Sequence, residues 1–256
     1  MIILGINSYH TEASAAIFRD GELLAAAEEE RFSRIKHSGG FPGQAVRFCL
    51  EAAGVSPSEI DHVAIPHKRS AHLVRKALWA VRLPSLVRTR SSTWRASGDV
   101  TTMLAGALQV SPSSLRAQLH YVEHHVAHAA SAFYSSPFEE AAIMTPDALG
   151  DFASMLWGAG KGQHINIDGT VLFPDSLGYY YTAVTQYLGF WKFGDEYKVM
   201  GLGSYGEPRY ADVFQDMLRV GKDLDFKLNL DYFTHHRRAA FVTWENGEAQ
   251  PSLLFS

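Results

Sequence analysis

The hydrophobic and polar positions of the chain open on strand-like runs. "IILGIN" at residues 2–7 is apolar, and "SAAIFRDGELLAAAEEERF" holds two further runs divided by Asp20-Gly21. An Asp-Gly pair between two such runs predicts a tight hairpin, because both residues tolerate positive φ. "FPGQAVRFCLEAAGV" then places Val46, Leu50 and Ala53 on one helical face, with Gly54 as its stop. "DHVAIP" reads as another short strand.

Strand, hairpin, helix, strand is the opening order of a ribonuclease-H-like half-domain. After it, residues 67–118 predict a helical insertion interrupted by Pro84, Ser85, Ser91, Ser92 and Thr93. "LHYVEHH" reads as a strand running into a helix, "EHHVAHAASAFY". "EEAAIMTPDALGDFASMLWGAGKGQHINIDGTVLFP" repeats the opening layout: a strand ending at Asp147, a second carrying Ser154 to Trp157, and a turn at Asp168-Gly169. The chain therefore divides by layout into a first half, 1–140, and the beginning of a second, 141–256. "SLGYYYTAVTQYLGF" predicts a helix, followed by the glycine-rich "FGDEYKVMGLGSYGEP". The final residues are polar and aromatic, with no closing helix or strand in the pattern, so the second half is expected to be incomplete.

Composition narrows the class. With 256 residues, 46% hydrophobic and 20% charged, the chain can bury a sizeable core as one large domain or two small ones. A net charge of -4 gives no global sign of nucleic-acid or membrane binding. Cys49 is the only cysteine, so no intrachain disulfide can form. The opening "MIILGINSYH" has no basic leader or cleavage site, and no apolar run reaches the ~18 residues of a membrane helix. A cytoplasmic protein is expected. Locally, nine Lys and Arg lie between His62 and Val122 against one acid, Asp99. They make either a solvated basic face or a rim that attracts anions.

The chemistry concentrates in the histidine helix. His124 and His128 are four apart, hence one turn apart on one helical face, and can chelate one ion. His125 and His128, three apart, match less well. Asp147 ends an apolar strand, where carboxylates of α/β folds point into the functional crevice. Two histidines and a carboxylate suit iron(II) or a similar divalent metal with positions left open for substrate. Asp151 competes with Asp147, and either could instead bind backbone amides. Gly201, Gly203 and Gly206 form a glycine-rich loop that could admit a nucleotide. In "NSYHTEASAA", between the first two strands, His10 and Ser14 could face phosphates, with Lys36 beside a second glycine turn.

The segments "GINSYHTEASAAIFRDGELLAAAEEERFSRIKHSGGFP", "EHHVAHAASAFYSSPFEEAAI", "PDSLGYYYTAVTQYLGF" and "YKVMGLGSYGEP" resemble the amino-terminal region of the O-carbamoyltransferases, the nodulation-factor and antibiotic-tailoring enzymes. The resemblance covers nearly the whole chain and breaks mainly at 67–118. It implies an actin-like ATPase fold, with ATP and carbamoyl phosphate as substrates and a carbamoyl-adenylate intermediate. The carbamoyl group then passes to a hydroxyl of a small acceptor. It also implies that His124, His128 and Asp147 are the first three metal ligands, and that His125 is only their neighbour. Lys36 and Gly201–Gly206 would hold phosphate and adenosine, and His10 would take the acceptor's proton. A carboxy-terminal adenylate-forming domain, in cis or in trans, is the implied partner.

Three departures stand out. Pro146-Asp147-Ala148 replaces the family's Val-Asp-Gly, Gly203-Ser204 replaces Ala-Pro, and neither the fourth metal ligand nor the adenylate-forming domain has a counterpart here. Two other readings compete: a non-catalytic or incomplete half that needs a carboxy-terminal partner, and an aminoacyl- or tRNA-directed transferase. The basic stretch alone favours the last, and the acidic chain opposes it.

Overall fold

The computed structural model describes residues 1–84, 99–237, 242–245 and 248–255. Its residues fall into two compact units. Leaving aside residues not described, the first holds Met1–Lys68, the part leading to Val122 and the segment 243–250; the second holds 69–84, Glu123–Val242 and Pro251 onward. The halves 1–140 and 141–256 are a division by repeat, this one a division by compactness.

The first unit is a five-stranded sheet of β1 (Ile2–Asn7), β2 (Ser14–Arg19), β3 (Glu22–Glu28), β4 (His62–Ile65) and β5 (Gln118–Tyr121), in the order β3-β2-β1-β4-β5. β1, β2 and β3 pair antiparallel, while β4 and β5 run parallel to β1. This is the ribonuclease-H-like order, and the chain is a mixed α/β protein of that class. The hairpin turns at Asp20 and Gly21, with φ of 51° and 90°, as an Asp-Gly turn requires. Leu4, Ile6, Ala15, Ile17, Val63 and Ile65 point into one core, where the helix Gly43–Ala53 sets Ala45, Val46, Cys49 and Leu50 against them. That helix ends in left-handed Gly54, as its sequence predicts. It begins without a side-chain cap of its own, and Glu29 serves instead. This buried carboxylate accepts the Gln44 and Ala45 amides at 3.0 and 2.9 Å and the Gln44 side chain at 3.1 Å. An acid there satisfies donors that a helix N-terminus leaves unpaired.

The second unit holds an antiparallel sheet of β6 (Glu140–Met144), β7 (Ala153–Lys161) and β8 (His164–Leu172), in sequence order. The helix His124–Tyr134 covers it, packing Ala129 and Phe133 on Ile143 and Leu156. The turn predicted at Asp168-Gly169 is a correction: both residues lie inside β8, and the chain reverses at Gly162, φ +57°. Gly169 is present for another reason. It pairs with Trp157, whose ring would meet a Cβ there at 2.0 Å. The helix Leu177–Tyr187 follows, capped by Ser176.

Two further expectations change. Gly201 and Gly203 lie in a helix, Glu196–Gly203, and not in a loop; only Gly206 lies beyond it. Toward its end the chain does form strands: β9 (Leu218–Val220) pairs with β10 (Phe226–Leu228), and β11 (Val242–Glu245) with β12 (Glu248–Pro251). The Gln186 amide holds the last segment from both sides, donating to the Ser252 carbonyl and accepting from Leu254 N–H, each at 2.9 Å. Within the predicted insertion, helices span Leu73–Arg82 and Val100–Leu108, while Ser85, Ser91, Ser92 and Thr93 lie outside the described residues.

Candidate metal centre

The histidine helix starts where it does because Glu123 caps it: extended at φ -62° and ψ 140°, its carboxylate accepts Val126 N–H at 2.9 Å. His124 and His128 then face the same way one turn apart. Their Nε2 atoms are 2.9 Å apart, and His124 Nε2 is 2.9 Å from Asp147 Oδ2. His128 Nε2 lies 3.7 Å from the same oxygen. Asp147 continues the strand ladder past β6, its N–H donating to Ser154 O at 2.8 Å. Its other oxygen, Oδ1, takes Ala148 N–H at 2.6 Å, which turns Oδ2 toward the imidazoles.

Electrostatics follow from this crowding. Burial pulls the His124 pKa down, but the hydrogen bond and charge of Asp147 outweigh it and raise it overall. Burial would likewise raise Asp147; hydrogen bonds from His124, His128 and the Ala148 amide hold it well below the carboxylate range. Three ligand-type atoms within 4.8 Å of one another make a donor set that suits a cation. Metal bonds of about 2.1 Å at right angles put neighbouring donors about 3.0 Å apart, close to two of the three observed separations. His124 is 11% exposed, Asp147 34% and His128 50%, so the trio is backed by protein on one side and open on the other.

The neighbours sort themselves. His125 is fully buried, with Nδ1 2.9 Å from Thr145 Oγ1 and 3.0 Å from its carbonyl, so it faces the sheet and not the trio. Asp151, 1% exposed, accepts the His124 backbone N–H at 3.0 Å. It is held by a two-residue turn in which Asp151 and Phe152 both take positive φ, 50° and 82°. Such backbone persists where surrounding contacts enforce it, here the paired hydrogen bonds between Gly150 and Ala153.

Three supporting residues escape sequence reading. A Cβ on Gly150 would lie 1.9 Å from the His124 ring, so only glycine leaves room for that ring. A Cβ on Gly178 would lie 2.5 Å from the Ala148 backbone, so only glycine allows the chain to approach that closely behind Asp147. Ser176 Oγ donates to the Ala148 carbonyl at 2.6 Å and lies 3.2 Å from the Asp147 carbonyl, tying the Asp147 segment to the helix Leu177–Tyr187.

In the first unit, the turn bearing His10 and Ser14 is strapped to the turn after Lys36. Tyr9 N–H donates to Gly40 O at 3.2 Å and Ala13 N–H to Ser38 O at 2.8 Å. His10 and Lys36 are exposed, and Ser14 pairs with Asn7 where the hairpin closes. Gly201, Gly203 and Gly206 are exposed in the second unit.

Fold and trio define a ribonuclease-H-like α/β protein with a two-histidine, one-carboxylate cluster. Residues 2–245 match the family described as "Carbamoyltransferase N-terminus", and the chain belongs to it. It is 38% identical over 242 residues to the Synechocystis protein sll1178, covering 91% of this chain and 39% of that protein. It is 37% identical over 232 residues to the nodulation protein NolNO of Sinorhizobium fredii, covering 88% of this chain and 32% of that protein. The chain thus spans less than two-fifths of the length of these relatives. Among solved structures, YeaZ from Pseudomonas aeruginosa overlaps at 19% identity with a TM-score of 0.36, over 66% of this chain and 64% of that one. That overlap is slight, and the fold assignment rests on strand order and sense.

Proposed function

We propose that the chain is the amino-terminal part of an ATP-dependent carbamoyltransferase. It moves a carbamoyl group from carbamoyl phosphate, by way of carbamoyl-adenylate, to a hydroxyl of a small acceptor. The observation that carries this reading is the convergence of His124, His128 and Asp147, in a chain whose family is carbamoyltransferase. These three side chains would hold iron(II) or a similar divalent ion, which when bound supplies Lewis acidity for the carbamoyl carbonyl. Asp147 orients His124, and Asp151 secures the backbone from which both histidines project. On the first unit we assign phosphate binding to Ser14 and Lys36, and acceptance of the hydroxyl proton to His10. Adenosine contact is assigned to Gly201, Gly203 and Gly206. The two helical glycines offer a surface bare of side chains in place of an amide cradle, since a Cβ on either would meet nothing within 4 Å.

The test is metal content. Purified chain loaded with iron(II) should retain about one ion. The double variant His124→Ala, His128→Ala should lose it while keeping its circular dichroism. Unchanged metal in that variant would remove the centre from the proposal.

A second reading has its own support. The helix Glu196–Gly203 buries none of its residues and exposes Tyr197, Met200 and Leu202, and the relatives are much longer than this chain. On that reading the polypeptide is a half that acts only with carboxy-terminal sequence, in cis or in trans.

A further inference from the structure

The helix Leu73–Arg82 is mounted inside out. At 100° per residue, Leu73, Val74, Ala77, Leu78 and Val81 share one arc and Trp79 lies opposite, with Arg75 and Arg82 flanking the arc on one side and Lys76 on the other. A helix docked on a protein body normally turns its apolar arc inward. This one is anchored through its other side. Trp79, 9% exposed, meets the Phe173 ring edge-on at 4.9 Å, and the Arg82 guanidinium stands 5.6 Å from the Trp79 ring. The apolar arc faces out, with Leu73 at 59%, Val74 at 76%, Leu78 at 54% and Val81 at 83% exposure. Four large aliphatic side chains on one short helix are thus presented to water, an arrangement that marks an interaction surface.

Charge decides among partners. Lys68, Arg69, Arg75, Lys76 and Arg82 lie on or beside this helix, and no Asp or Glu occurs between His62 and Asp99. Basic residues bracket both edges of the apolar arc, Lys76 on one side and Arg75 with Arg82 on the other. Cations flanking an exposed apolar stripe match an interfacial helix, whose aliphatic side chains enter the acyl boundary while the cations reach the headgroups. The described helices include none long and apolar enough to cross a membrane, so the contact would be with the surface alone.

We propose that the helix Leu73–Arg82 is a peripheral anchor for anionic lipid surfaces, its apolar arc inserting and its cations pairing with headgroups.

The test is co-sedimentation of the full chain with vesicles of phosphatidylcholine, with and without phosphatidylserine. Wild type should pellet with phosphatidylserine vesicles and much less with phosphatidylcholine alone, and added salt should weaken the binding. The double variant Val74→Asp, Val81→Asp should lower the vesicle-bound fraction at least about tenfold. Because both positions are exposed, its circular dichroism and melting should match wild type. Arg75→Gln, which keeps the apolar arc, should lower binding by a few-fold and flatten the salt dependence. Absence of wild-type binding to phosphatidylserine vesicles overturns the proposal, as does equal binding by the double variant. A wild-type dimer that the double variant converts to monomer, without vesicle binding, would also overturn it and give the surface to a second copy of this chain.

Discussion

At the scale of single residues, the trio depends on a glycine that makes no bond to it. Gly150 lies against the His124 ring, where a Cβ would come within 1.9 Å. In Gly150→Ala the ring must swing off its present line to Asp147. Apparent iron affinity is expected to fall about 10-fold or more, as when supporting residues of metal ligands are changed, with His128 and Asp147 still in place. Metal titration followed by mass spectrometry checks this, and an unchanged affinity would mean that the ring is free to shift. A second residue-scale effect belongs to His235, fully buried among Phe173, Tyr179 and Phe233. Burial lowers its pKa from 6.5 to about 4, while its Nε2 donates to the Pro174 carbonyl at 2.7 Å. Between those two values the unfolded chain carries a proton that the folded one lacks. Stability therefore falls as pH drops from about 6.5 toward 4, by up to about 3 kcal/mol. His235→Gln retains a donor for Pro174 and should flatten that slope in urea unfolding curves, even if it lowers stability at neutral pH.

At the scale of elements, one helix start is set by a side chain from elsewhere. The helix Gly43–Ala53 has no cap of its own; Glu29 reaches it from the end of the β3 segment. Glu29→Ala leaves two amides and a side-chain amide without their acceptor in a buried place. It should cost roughly 2–3 kcal/mol, read as a lower denaturation midpoint with an unchanged slope. Glu29→Gln should recover part of the loss, since one oxygen remains to accept. A full-strength Glu29→Ala protein would show that water replaces the carboxylate. The same scale explains the misplaced turn in the second sheet. Asp168-Gly169 has the composition of a turn, but the glycine there makes room for Trp157 on the neighbouring strand. A glycine that reads as a turn residue here leaves room for a cross-strand ring, and only the register separates the two.

At the scale of the whole molecule, the two units carry different chemistry. The first brings the His10 turn and the Lys36 turn together; the second carries the His124–His128–Asp147 trio and the helix Glu196–Gly203 with Tyr197, Met200 and Leu202 exposed. If carboxy-terminal sequence completes the enzyme, the isolated chain should turn over no carbamoyl phosphate with ATP. Adding the region that follows it in longer relatives, as a fusion or a separate chain, should restore carbamoyl transfer and protect Tyr197, Met200 and Leu202 from surface labelling. Robust turnover by the 256-residue chain alone would give the full reaction to the motifs present.

Local pattern was enough for the sequence to determine the strands of the first sheet, the Asp20-Gly21 hairpin, the helix from Gly43 with its Gly54 stop, and the four-residue spacing of His124 and His128. Each of these is decided by residues within one or two turns of each other, where period and turn chemistry act directly. The tertiary structure decided what depends on distant partners. It put Asp147, not Asp151, at the imidazoles, because the continued ladder to Ser154 aims one carboxylate at the rings while the Gly150–Ala153 turn spends the other on a backbone amide. It put Gly201 and Gly203 in a helix, and it made Gly150, Gly178 and Ser176 part of the support of the His124–His128–Asp147 trio. Close approach between segments more than 20 residues apart leaves no periodic trace in a sequence, so these roles become visible only when the chain has folded.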